Sequence, residues 1–316
     1  MSTSSIPGLH HVTTIAGDPA QNRDFYTRIL GLRLVKKTVN FDDPHTYHLY
    51  FGDRVGSPGT ILTFFPIPRA RPGQNGTGLA QATAFLIPQH STDYWRERLH
   101  QFDIHVPPPD DRFDEQVLRF RDHDGTFIEL VASSAAEESY DENLLPQADD
   151  IPAEHAIRAF HSVSLSLESV GATGKLLNLM GYVFQSKEGN RHRYVADPSQ
   201  PGPFIDLVEM PYRQGAMGKG VVHHVAFRCA DDEEQLSWQK TLWDAGISVS
   251  EVRDRQYFNS IYFHEPGGVL FEIATDPPGF TDDESVEALG SGLKLPYWLE
   301  DRRADIEANL PDLQIT

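Results

Sequence analysis

Four stretches of the chain share one pattern, a glycine leading a β-prone run: GTILTFF (59–65), GTFIELV (125–131), GPFIDLV (202–208) and GVLFEIA (268–274). Each closes a segment that opens on another strand-like run. The opening runs are LHHVTTIAG (9–17), ATAFLIP (82–88), FHSVSLSL (160–167) and VHHVAFRCA (222–230). A repeat of this kind constrains the fold strongly, because one such unit cannot bury its apolar face alone and must stack on its copies.

Between opening and closing strands lies a helix. In the first copy Asp18-Pro19-Ala20 supplies an N-cap and a proline at the first helical position. Phe25, Ile29 and Leu30 give one apolar face, and Gly31 gives the stop. The fourth copy repeats this with Asp231-Asp232, Leu236, Leu242 and Trp243, ending near Gly246. The second has its helix around Tyr94 to Leu99, the third around Leu176 to Leu179 with a stop at Gly181. The expectation is an α+β fold of four βαβββ modules, curled into two cupped mixed sheets, with modules one and four sharing one cup. Modules one and two fill an N-terminal half, 1–135, and modules three and four a C-terminal half, 151–279. The Ala-, Glu-, Asp- and Pro-rich stretch from Ser133 to Asp150 reads as their linker. The tail, 280–316, is expected to pack on the body through Leu293, Leu295, Tyr297, Trp298 and Leu299, ahead of a helix near Asp301 to Leu310.

The modules differ in chemistry. On the opening strands His11 and His224 share one phase, where module two has Ala82 and module three has Ser162. On the closing strands Glu272 is matched to Phe64, Glu129 and Asp206. Side chains in one phase of a strand share a face, so modules one and four present His11, His224, Glu272 and Phe64 together. Two imidazoles and one carboxylate on rigid strands form the ligand set of a metal centre with open coordination positions. Glu129 lacks histidine partners and reads as structural. His161 opens module three in the phase of His10 and His223, which makes it the rival ligand. The other histidines, His45, His48, His90, His100, His105, His123, His155, His192 and His264, read as surface or supporting residues.

The net charge of −19 argues against nucleic acid and anionic membranes as partners. Cys229 is the only cysteine, which excludes an internal disulfide and fits a reducing cytoplasm. No apolar run approaches membrane-spanning length, and MSTSSIPGLHH has neither the basic nor the apolar part of a signal peptide. The sequence leaves self-association into a homo-oligomer open.

The pattern HH…HH…FE, with LHHVTTIAGDPAQNRDFYTRILGLRLVKKTVNFDD, YHLYFGD, GSPGT, EGNRHRY, YRQG (212–215), VVHHVAF, DRQYFNSIYFHEPGGVLFEIATDPPGF and LKLPYWLEDRR, resembles the vicinal oxygen chelate superfamily. Within it the resemblance is to ring-cleaving dioxygenases that open hydroquinones and chlorohydroquinones. It implies a small aromatic diol and O2 as substrates. It implies Fe(II), with Mn(II) as the alternative, held by His11, His224 and Glu272. It also implies that Arg255 and Tyr262 sit beside the substrate, that His223 shares in proton transfer, and that His10 and Thr13 line the substrate pocket. Two rivals share the fold. A glyoxalase-type lyase or isomerase resembles a four-ligand site, against which Phe64 at the fourth position argues. A metal-free binding protein has no use for the triad.

Overall fold

The computed structural model describes residues 5–138, 141–146, 148, 150–211 and 213–313. Tyr212 of the YRQG segment, parts of the linker and the last three residues of the tail lie outside the described residues. Module one contributes β1 (Leu9–Ala16), β2 (Arg33–Asn40), β3 (Asp43–Gly52) and β4 (Ile61–Pro66). Module two contributes β5 (Leu79–Pro88), β6 (Asp110–Arg112), β7 (Glu115–Arg121) and β8 (Phe127–Ser133). Module three contributes β9 (Phe160–Leu167), β10 (Val183–Glu188), β11 (Arg191–Val195) and β12 (Phe204–Glu209). Module four contributes β13 (Val221–Cys229), β14 (Arg253–Asp254), β15 (Asn259–His264) and β16 (Leu270–Thr275). The helices are α1 (Pro19–Asp24), α2 (Thr92–Gln101), α3 (Ala135–Glu138), α4 (Gly171–Leu179), α5 (Asp232–Asp244) and α6 (Arg303–Asn309).

The sixteen strands form two eight-stranded mixed sheets, each curled into a half-barrel. One runs β14-β15-β16-β13-β1-β4-β3-β2 and so joins modules four and one. The other runs β10-β11-β12-β9-β5-β8-β7-β6 and joins modules three and two. Within each module the opening and closing strands pair in parallel, and the two opening strands of a sheet pair antiparallel. The chain therefore nests its modules, the outer two in one cup and the inner two in the other.

Local chemistry explains the elements. The Asp18 carboxylate accepts from the Gln21 amide at 2.9 Å with Pro19 next in the chain, and Asp231 caps α5 through the Glu234 amide at 2.9 Å. Such caps stabilise a helix by about 1 kcal/mol. α1 runs on into a π-helical turn, Phe25–Ile29, which buries Phe25, Tyr26 and Ile29. In α5 the core face is Gln235, Trp238 and Leu242, while Leu236 and Trp243 point outward. The four leading glycines of the closing strands, Gly59, Gly125, Gly202 and Gly268, all have positive φ (89°, 93°, 65° and 104°). L-residues rarely adopt that conformation, which is why glycine recurs there.

Strand alternation divides the faces. Leu62 and Phe64, Ile128 and Leu130, Ile205 and Leu207, and Phe271 and Ile273 all enter the main core with Trp95, Leu99, Leu177 and Leu242 from the helices. Burying each such side chain fully stabilises the fold by about 1.5–3 kcal/mol. The intervening residues, Thr63, Glu129, Asp206 and Glu272, face the cups. Here the structure corrects the sequence reading. Phe64 is a core residue, and Thr63, which pairs with Thr13 as Glu272 pairs with Ala226, holds the position that matches Glu272.

In the tail, Leu295, Leu299 and Ile306 pack on Val39 with Leu293 at the edge. Trp298 meets the body at its rim, 39% exposed but edge-on to Phe41 with ring centres 5.6 Å apart, whereas Tyr297 is 84% exposed. The helical stretch begins at Tyr297 as a 3-10 helix and becomes α6 at Arg303.

Candidate metal centre

His11 and His224 lie on the two adjacent antiparallel strands at the middle of the outer-module sheet, and Glu272 lies on β16 next to β13. Their tips converge. His11 Nε2 is 3.2 Å from His224 Nε2, and Glu272 Oε2 is 3.4 Å from the first and 3.0 Å from the second. All three are buried, and they are the only group of three metal-ligating side chains among the described residues.

The remaining atoms of the triad are spoken for. The Ser260 hydroxyl donates to Glu272 Oε1. His11 Nδ1 meets His10 Nδ1 at 2.9 Å, and His224 Nδ1 meets His223 Nδ1 at 2.8 Å. His10 also bonds the backbone of Thr275. A neutral imidazole donates from one nitrogen and accepts at the other. With its other nitrogen on the Thr275 carbonyl, His10 accepts from His11 and leaves His11 Nε2 as a lone pair. His223 has no second partner of that kind, and where His224 donates to it from Nδ1, His224 Nε2 is likewise left as a lone pair.

Glu272 Oε2 is buried without a hydrogen-bond partner. Burial pushes its carboxyl up, but His11 and His224, when they carry a proton toward it, outweigh that and hold it well below the usual range; a cation between neutral rings would take the place of that positive charge. Burial also lowers His224 and favours its neutral form. Two imidazole lone pairs and a carboxylate oxygen aimed at one another, away from water, fit a metal ion.

A cavity of about 550 Å³ opens over the triad, a size suited to a small molecule. Its walls include Ile15, Phe65, Ile67 and Leu270 on the apolar side and His48, His223, Arg255 and Tyr262 on the polar side. Tyr262 pairs directly with Glu272 across β15 and β16, so both point into the cup. Arg255 is not on that strand. It sits in the turn after β14 and reaches back, its Nε donating to the Tyr262 hydroxyl at 3.1 Å and its Nη1 to Asp42 at 3.1 Å. Burial, then Glu272, raises the Tyr262 phenol, which keeps its proton at neutral pH. His223 lines the cavity beside Phe65, and burial followed by His224 lowers it to about 4. His10 and Thr13 lie behind the wall. His10 packs on Phe258, and Thr13 bonds Thr63 at 2.8 Å; neither lines the cavity.

His48 and Tyr50 belong to the cavity, although His48 reads from sequence as a surface or supporting residue. The Tyr50 hydroxyl bonds His48 Nδ1 at 2.8 Å, and His48 Nε2 bonds Thr63 at 2.8 Å. Tyr50 faces Thr63 across β3 and β4 as Tyr262 faces Glu272, so the two tyrosines are counterparts. The alternation in YHLYF carried the signal: Leu49 and Phe51 are core, which turns His48 and Tyr50 into the cup.

The rival ligand is elsewhere. His161 lies in the inner-module sheet, 3.2 Å from Glu115 and 3.0 Å from the Ser162 hydroxyl. Glu129 is buried and paired with Arg112 at 2.8 Å. A larger cleft of about 720 Å³, lined by Phe25, Phe102, Phe120 and Phe127, carries no ligand triad.

The model of the Glyoxalase/Bleomycin resistance protein/Dioxygenase superfamily matches residues 8–130 and 147–273. MhqO of Bacillus subtilis (strain 168), named as a ring-cleaving dioxygenase, is 44% identical over 309 residues, covering 98% of this chain and 97% of that protein. The chlorohydroquinone/hydroquinone 1,2-dioxygenase of Sphingobium indicum is 34% identical, covering 97% of each. Among solved structures, one described as a dioxygenase from Bacillus subtilis superposes with a TM-score of 0.94 at 43% identity, covering 99% of both chains. Glyoxalase I from Zea mays superposes with a TM-score of 0.60 at 14% identity, covering 85% of this chain and 92% of that one, a likeness of fold alone.

Proposed function

The chain belongs to the glyoxalase/bleomycin resistance protein/dioxygenase superfamily and is an enzyme of its ring-cleaving dioxygenase class; we propose that it opens the ring of a hydroquinone-type aromatic diol with O2, using Fe(II) held by His11, His224 and Glu272. The observation that carries this reading is the convergence of two imidazole lone pairs and one unpartnered carboxylate oxygen at the floor of a ring-sized cavity. Mn(II) takes the same donors and is the alternative ion.

Held by these three residues, the metal would supply Lewis acidity that favours the phenolate form of a ring oxygen and the redox activity that O2 chemistry needs. The rest is the work of the chain. Ile15, Phe65, Ile67, Leu270 and Phe258 offer faces for an aromatic ring and keep water out. Arg255 brings a permanent positive charge to the wall, suited to negative charge developing on the ring oxygens. Its bond to the Tyr262 oxygen leaves the phenol proton free for the cavity. Neutral His223 accepts at Nδ1 and so carries its proton on Nε2, a second donor for an oxygen of the substrate. His10 and Thr13 act from behind, His10 by orienting the His11 ring and Thr13 by holding Thr63.

Thr63 at the fourth position, bonded to Thr13 and His48, supports a three-ligand centre over the four-ligand lyase type. No helix of the described residues is long and apolar enough to cross a membrane, and the buried lone thiol of Cys229 fits a reducing cytoplasm. We read 1–135 and 151–279 as two sequence halves and 280–316 as a tail that completes them. The test is oxygen uptake after anaerobic loading with iron. Uptake with hydroquinone, absent from the metal-free protein, is expected. A loaded protein that leaves every diol of a substituted hydroquinone and catechol panel untouched overturns the reading.

A further inference from the structure

Lys36 on β2 is fully buried, with its ammonium between two carboxylates of the tail: 2.6 Å from Asp283 Oδ1 and 2.5 Å from Glu284 Oε2. It also lies 4.7 Å from the centre of the Tyr257 ring. A buried ammonium is costly unless it is paired and hydrogen-bonded, so this lysine fixes where the tail crosses the sheet. The other oxygen of Asp283 is not idle. Asp283 Oδ2 accepts from the Tyr257 hydroxyl at 3.1 Å and from the Gln256 side-chain amide at 3.2 Å.

Gln256 and Tyr257 are the middle of a tight turn whose two ends, Arg255 and Phe258, both line the cavity over the triad. The turn is closed by the Arg255 amide on the Phe258 carbonyl at 3.0 Å and the Tyr257 amide on the Arg255 carbonyl at 2.8 Å. Gln256 sits at φ +68°, a conformation that a non-glycine residue holds only where its surroundings fix it. The Gln256 amide is held locally by Asp254 Oδ1 at 2.7 Å, and around the turn Gly279 donates to the Tyr257 carbonyl at 3.0 Å, Phe280 of the tail packs on the rings of Tyr257 and Tyr50, and Lys294 donates to the Asp283 carbonyl at 2.9 Å.

We propose that Asp283 is a positioning residue for the substrate cavity: anchored by Lys36, it holds the Arg255–Phe258 turn so that the guanidinium and the Phe258 ring meet the substrate. This rests on the proposed function for the identity of the substrate, but the clasp itself does not. The ligands His11, His224 and Glu272 are carried by their own strands outside the turn, which meets them only through Phe258, whose ring lies 5.0 Å from that of His11.

The experiment uses the full chain, iron-loaded, as wild type, Asp283→Ala, Tyr257→Phe and the double variant. Tyr257→Phe leaves the Lys36 ion pairs and the aromatic packing in place, so it stays informative where Asp283→Ala folds poorly. Amide hydrogen exchange of Arg255 to Phe258 reports the turn without any turnover and is expected to quicken in each variant. With hydroquinone, KM is expected to rise roughly tenfold in Asp283→Ala, the size of one or two lost hydrogen bonds, with iron content unchanged. The double variant should match Asp283→Ala, because both substitutions break one link. Unchanged exchange in both single variants overturns the proposal, as does an additive double variant. If wild type turns over no diol, the functional reading falls while the exchange data still decide the clasp.

Discussion

The cup built by modules one and four and the cup built by modules two and three share a backbone plan, and four matching positions face each interior. In the first they are His11, Thr63, His224 and Glu272; in the second, Ala82, Glu129, Ser162 and Asp206. Both cups therefore bury carboxylates at closing-strand positions, and what differs is the company. Glu129 pairs with Arg112 at 2.8 Å and Arg119 at 3.5 Å. Asp206 pairs with Arg193 at 2.9 Å and Arg191 at 3.1 Å, and Arg193 goes on to Glu115 at 2.8 Å. A guanidinium never surrenders its proton, so it saturates a carboxylate and closes the site. An imidazole can be neutral and turn a lone pair toward the carboxylate, which leaves room for a cation. One scaffold yields a sealed ion-pair network or a two-imidazole, one-carboxylate cluster suited to a cation according to that choice.

The comparison breaks most sharply at the ligands. His11→Ala, His224→Ala and Glu272→Ala should each reduce bound metal to background after anaerobic loading and desalting, whereas Glu129→Ala should retain it. Full occupancy in the His11 variant would show that His11 is not a ligand. Next come the groups that only the first cup carries. Arg255→Ala and Tyr262→Phe should lower turnover by about 10²–10⁴-fold with metal content intact, and loss of iron in both would move them into the ligand shell. In the second cup the expected effect is on folding. Asp206→Ala leaves Arg193 with Glu115 alone and Arg191 with only the Ser164 hydroxyl, and should cost about 3 kcal/mol in denaturant unfolding, without touching the metal. Ser260→Ala frees Glu272 Oε1 and should weaken metal affinity about 10–100-fold in a chelator competition. The gentlest probe is acid. Burial raises Glu115, but His161 and Arg193 outweigh it and hold the carboxyl at about 2, against an ordinary value of 4.5. A depressed carboxylate contributes stability that is complete above its unfolded pKa and is lost as pH falls through its folded one. Acid unfolding between pH 4.5 and about 2 should therefore shift in Glu115→Gln, and an unchanged acid limb would mean that the network carries no such stability.

Much of this was legible in the sequence because glycine and alternation mark strands cheaply. The leading glycines need positive φ, and the opening strands carry their histidines in one phase, so the triad and the nesting of outer with outer modules both follow from the repeat. The error at Phe64 is instructive. Counted from Gly59 as Glu272 is counted from Gly268, the matching residue is Thr63, and a slip of one position exchanges the core face for the cup face. Arg255 reads from the resemblance alone, because its φ-positive neighbour Gln256 puts it in a turn, and turns have no period to count. His48 was passed over among many histidines because only its pairing with Tyr50 and Thr63 distinguishes it. Tyr297 stays exposed because apolarity alone does not fix which side of a short 3-10 helix faces inward.

The nested pairing also sets a timetable. β1 is among the first structure made, yet its antiparallel neighbour β13 is a late product of synthesis: His11 and His224 are 213 residues apart. Closing so long a loop is slow, and nothing in modules two or three can stand in for it, since they build the other sheet. The imidazole of His11 therefore waits through most of translation without its partners, and Glu272 arrives later still. The three side chains that would hold a metal therefore meet only after module four is made. A nascent chain halted in module three, or one nicked there before folding, carries half of each sheet and no centre at all.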